Sequence, residues 1–181
     1  MNFSMFRSIR CANRNPLAVG RLRPWLWALV GAIALWSWGT PAGWADAIDP
    51  YVRRYLQPDT AALRVDASGK LKSFSAEALS AGKQIFGESC LNCHVGGSTL
   101  ANPLVSLSLT DLAGATPPRD TLTGLVAYMR HPLTYDGDDE NYYCREVPES
   151  WLSDGELENV AAFVLRAAEL APGWGGDRFS P

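Results

Sequence analysis

At 181 residues and a formal charge of −3, the chain has room for one ordinary domain and a targeting segment, but not for two independent cores. Its 16 Lys and Arg against 19 Asp and Glu exclude the clustered basic surface on which nucleic-acid binding rests. The expected kind of partner is a basic patch on another protein.

Residues 1–47 read as a cleaved signal peptide. Arg7, Arg10, Arg14, Arg21 and Arg23 precede an uncharged stretch from Pro24 to Ala45, and Trp25 to Trp38 is almost continuously apolar. The small-residue pattern Ala45-Asp46-Ala47 then predicts cleavage after Ala47 or Ala45. An uncleaved anchor is the rival, because the uncharged window approaches the ~20 residues of a membrane span; Gly39-Thr40-Pro41-Ala42-Gly43 interrupts it and argues the other way. Without residues 1–47 the chain keeps 11 Lys and Arg and 18 Asp and Glu, a formal charge of −7.

Residues 48–71 are expected to form an N-terminal arm, with a short β-hairpin as its candidate for regular structure. From residue 72 to 181 the pattern is that of one all-α domain. Ser75 is a plausible N-cap with Glu77 in the first turn, and the helix runs to Phe86. Gly82, Phe86 and Cys90 recur at intervals of four and so share a face, where a glycine permits close approach by another helix.

That helix runs into Cys90-Leu91-Asn92-Cys93-His94, the attachment signature of c-type haem. Two residues between the thiols make one turn, which sets both sulfurs where they can add to the vinyl groups of a porphyrin edge. The adjacent histidine then lies under the iron, which neutral imidazole binds well. A zinc half-site would need a second Cys or His pair, and a thioredoxin-like pair would need a strand-turn-helix setting; neither context is present. A disulfide between Cys90 and Cys93 is the remaining alternative.

Downstream, Asp120 is expected to cap a third helical pattern carrying Leu122, Leu125, Val126 and Met129, which would wall the haem and stop before Pro132. Ser153-Asp154-Gly155-Glu156 begins a capping box. Leu157, Val160, Ala161, Phe163 and Val164 follow in an amphipathic run, with Phe163 the candidate to pack against Gly82 and Phe86. The connections are rich in Pro, Gly and Ser. Leu104-Val105-Ser106-Leu107 gives the one hint of period two.

Several blocks carry a resemblance: His94-Val95-Gly96-Gly97, Asn102-Pro103, Asp111-Leu112-Ala113-Gly114-Ala115, Pro118-Arg119-Asp120, Leu125-Val126-Ala127-Tyr128 and Pro132-Leu133-Thr134-Tyr135-Asp136-Gly137. On these the chain resembles the cytochrome c-550 family, the extrinsic low-potential cytochromes of photosystem II, as a divergent c-550-like relative. The resemblance implies a class I cytochrome c fold, one covalently bound haem c, residence in the thylakoid lumen and docking on the lumenal face of photosystem II. It also implies two histidine ligands to the iron, and here the chain departs from the family. Members place a second histidine a short way beyond the Tyr-Asp-Gly block, whereas no histidine follows His131 in this sequence.

Cys144 stands at about that position. It is also the odd thiol of the exported chain, since Cys11 falls in the signal segment and haem would consume Cys90 and Cys93. The expectation is therefore His94 as proximal ligand and Cys144 as distal ligand, with a low potential because a negative ligand favours ferric iron. Tyr142, Tyr143 and water remain alternatives. His131 reads as a surface or capping residue and Met129 as core. No acid-base pair or nucleophile-base constellation is evident, which points away from an enzyme. A one-electron carrier is expected; a structural subunit of photosystem II and a haem-based small-ligand sensor are the alternatives.

Overall fold

The computed structural model describes residues 48–100 and 105–176; the expected signal peptide, Leu104 and Asn102-Pro103 lie outside them. Five α-helices and one hairpin follow in chain order: α1 (Pro50–Tyr55), β1 (Ala62–Arg64), β2 (Leu71–Ser73), α2 (Ala76–Ser89), α3 (Leu109–Gly114), α4 (Leu122–Arg130) and α5 (Asp154–Leu170). No described helix is long and apolar enough to cross a membrane.

Helices α2 and α5 form the heart of the fold. Ser75 caps α2, its Oγ accepting from the Ala78 N–H at 3.2 Å. The helix runs a turn beyond the expected Phe86, to Ser89, with Cys90 as C-cap. The capping box of α5 is complete: Ser153 Oγ accepts from the Glu156 N–H, and the Glu156 carboxylate accepts from the Ser153 N–H at 2.9 Å. Leu157, Val160, Ala161, Phe163 and Val164 are buried, each large apolar side chain contributing about 1.5–3 kcal/mol.

Phe86 and Phe163 meet with ring centroids 5.4 Å apart, as expected. Gly82 instead meets the α5 backbone at Asn159 and Val160. Trp174, beyond α5, completes an aromatic cluster, 5.7 Å from both phenylalanine rings.

The arm at 48–71 packs into the same core, because Val52, Leu56 and Leu63 are wholly buried. Its hairpin is antiparallel, pairs Ala62 with Ser73 and Arg64 with Leu71, and so extends past residue 71. Asp49 caps α1, accepting from the Tyr51 N–H at 2.7 Å, and ties it to α2 through Lys83 at 2.9 Å.

Two local expectations fail. The N-cap of α4 is Thr121, whose Oγ1 accepts from the Gly124 N–H at 3.2 Å. Asp120, the expected cap, is drawn instead to Arg64 on β1 at 2.6 Å. Both residue types cap well, so the long-range ion pair fixes the register. Residues 105–107 form no strand: Leu107 N–H donates to Gly97 O at 2.7 Å, and Ser106 is fastened to the Asp111 carboxylate through its N–H and hydroxyl.

Candidate haem site

The Cys90–His94 segment folds as a tight turn at the end of α2. The Cys90 carbonyl accepts from the N–H groups of Cys93 at 3.1 Å and His94 at 3.0 Å, so two intervening residues suffice to bring both thiols to one side. No disulfide joins Cys90, Cys93 or Cys144. Among the described residues no three of His, Cys, Asp and Glu gather as a bare metal ion would require.

His94 is held by its ring. Nδ1 lies 3.2 Å from the Ser98 carbonyl, which can only accept, so Nδ1 carries the proton and Nε2 is left with its lone pair for a metal. Burial pushes the imidazole pKa down, only partly opposed by that carbonyl. The neutral, ligating form is favoured.

A cleft opens beside this turn. Its larger lobe holds about 470 Å³ and its smaller about 160 Å³, together within the ~300–1,000 Å³ usual for cofactor sites. Cys93, His94, Leu125, Tyr128 and Cys144 wall both lobes. Cys90, Met129 and Val160 border the smaller; Arg119, Asp111 and Tyr135 border the larger. Of the helix expected to wall the haem, Leu125 and Met129 do so, whereas Leu122 is fully buried in the core.

Cys144 lines both lobes of this cleft, as His94 does. Burial pushes its thiol pKa up; the Tyr128 hydroxyl, which donates to its sulfur, and the Arg119 guanidinium act against that shift. Asn141 positions both, its side-chain amide donating to the Tyr128 hydroxyl at 3.0 Å and its carbonyl oxygen accepting from the Cys144 N–H. Tyr142 is 83% exposed and borders neither lobe; Tyr143, though 88% exposed, lies at the mouth of both. His131 is an exposed C-cap of α4 outside the cleft.

Two thiols on one turn, an oriented imidazole, a soft donor in the same cleft and apolar walls fit a covalently held haem. Sequence reasoning passed over two residues of this site. Trp174 seals the loop behind His94, its Nε1–H donating to Leu107 O at 3.0 Å. Arg119 lies 94% out of solvent, its relative exposure being 6%. A cation just before a helix N-terminus opposes the macrodipole, and that was the available signal.

Fold and site together define a class I c-type cytochrome. Over residues 54–180 the chain matches the family profile described as the cytochrome c-550 domain. It is 53% identical over 154 residues to the cytochrome c-550-like protein of Thermosynechococcus vestitus, covering 84% of this chain and 83% of that one. It is 51% identical over 116 residues to photosystem II extrinsic protein V of Gloeobacter violaceus, covering 64% and 62%. Among solved structures it is similar to the PsbV2 cytochrome of Thermosynechococcus elongatus, with a TM-score of 0.70 and 58% identity over 71% of this chain and 99% of that one. The chain belongs to the cytochrome c-550 family, and its cofactor is covalently bound haem c.

Proposed function

We propose that the chain is an exported monohaem cytochrome of the thylakoid lumen that carries one electron at low potential, with Cys90 and Cys93 as the thioether anchors and His94 and Cys144 as the axial ligands. The observation that carries this reading is that Cys144, hydrogen-bonded by Tyr128, lines the same cleft as His94. The bound haem supplies a reversible one-electron centre.

The protein's own groups do the rest. Ser98 fixes the imidazole tautomer. A Cys144 thiolate would add a negative ligand and favour the ferric state, while the Tyr128 hydroxyl withdraws part of that charge by hydrogen bonding. Leu107, Leu125 and Val160 keep water from the centre. The acidic surface suits a basic redox partner.

The test is the low-temperature electron paramagnetic resonance spectrum of the ferric holoprotein beside that of Cys144→Ser. A low-spin thiolate signal that the substitution abolishes is expected; an unchanged spectrum removes Cys144 from the iron. A second reading, a structural extrinsic subunit of photosystem II, draws support from the relative in Gloeobacter violaceus named photosystem II extrinsic protein V. Retention on purified photosystem II complexes after a salt wash would favour it over a diffusing carrier.

A further inference from the structure

Arg119 is a buried cation with no anion beside it among the described residues. Its Nη2 donates to the Leu133 carbonyl at 3.1 Å and the Thr134 carbonyl at 2.6 Å, and its guanidinium lies 3.8 Å from the centre of the Tyr128 ring. Nε is buried with no hydrogen-bond partner. None of the ion pairs among the described residues includes Arg119. The titratable groups facing it, Tyr128, Cys144 and Tyr135, include no carboxylate. The acid elsewhere in the same lobe, Asp111, is already engaged by Ser106. Leaving a buried charge and a buried N–H donor unmatched is costly, so this geometry calls for an anion brought in by a ligand.

The two lobes indicate which anion. Cys90 borders only the smaller lobe and Arg119 only the larger. A porphyrin anchored by its vinyl edge at Cys90 and Cys93 carries its two propionate carboxylates on the opposite edge. We propose that Arg119 is the positioning residue for a haem propionate, which its Nε–H and positive charge receive in the larger lobe; this rests on the haem reading given above. Two carbonyls and a tyrosine ring hold the guanidinium in advance, as charge-assisted recognition of a carboxylate requires. The same charge opposes oxidation of the centre, so Arg119 partly offsets the thiolate's downward pull on the potential.

The experiment compares holoprotein from the native chain, Arg119→Gln and Arg119→Lys by resonance Raman spectroscopy of the propionate-bending band and by redox titration. Arg119→Gln is expected to move the band and to shift the ferric-to-ferrous ratio about tenfold toward ferric at fixed ambient potential, a fall of about 59 mV for one electron. Arg119→Lys keeps the charge but loses the fork, so it should move the band with a smaller change in potential. A band that stays in place in folded Arg119→Gln overturns the proposal, even if the ferric resonance g-values shift; that outcome would make the Cys144 sulfur the anion. If Arg119→Gln yields no holoprotein, the lysine variant decides: a displaced band supports the assignment and a coincident one overturns it. An alkaline pyridine spectrum without the thioether haem signature would instead show that the haem reading itself has failed.

Discussion

Gly82 is the point where α2 and α5 touch backbone to backbone. A Cβ there would meet the Asn159 carbonyl group and come within 3.0 Å of Val160 N, and a main-chain neighbour cannot swing aside as a side chain could. Gly82→Ala is therefore expected to lower stability by about 2–3 kcal/mol, as overpacking does, measured by urea denaturation of the holoprotein. The need for a small residue at Gly82 was legible from its spacing with Phe86 and Cys90, and Cys144 drew attention as the odd thiol. Asp120 misled because it and Thr121 are both good caps, and local sequence does not contain the Arg64 that chooses between them. Arg119 and Trp174 were missed for the same reason, since their partners at residues 133, 134 and 107 lie far along the chain.

At the scale of elements, α1 is too short to be stable alone and depends on Asp49. Its backbone N–H donates to Ser80 Oγ at 2.9 Å, and its carboxylate accepts from α1 amides and from Lys83. Partial burial alone would raise the Asp49 pKa, but Lys83 and the Tyr51 and Val52 amides outweigh it and hold the carboxyl below its ordinary value. With the folded value below the unfolded one, the stabilisation is fully present above about pH 4, the unfolded pKa, and is lost as pH falls through the folded value. Asp49→Asn should leave α1 capped yet flatten the acid limb of the stability curve, read by circular dichroism at stepped pH. Caps of this kind made α2 and α5 readable in advance. The arm was less so, because its helix and hairpin owe their form to burial against α2 and α5.

At the scale of the whole molecule, Arg166 joins α5 to the arm. Buried on α5, it donates from Nε to Leu56 O at 2.8 Å and from Nη2 to Gln57 O at 3.2 Å, and pairs with Glu169 at 2.9 Å. Replacing it with methionine removes its hydrogen bonds to two arm carbonyls, so Arg166→Met is expected to cost about 2–4 kcal/mol and to make the segment around residue 57 the first site of cleavage in limited proteolysis.

The Trp174 turn has a different consequence, one of timing. Gly175 N–H reaches Gly96 O at 2.8 Å, and a Cβ on Gly97 would strike the Trp174 ring at 2.7 Å, so the last described residues close directly over the loop behind His94. Synthesis runs from the N-terminus, so Cys90 and Cys93 leave the ribosome well before this cover does. The loop behind His94 is therefore open when the thiols first emerge, and the Trp174 turn closes over it only later.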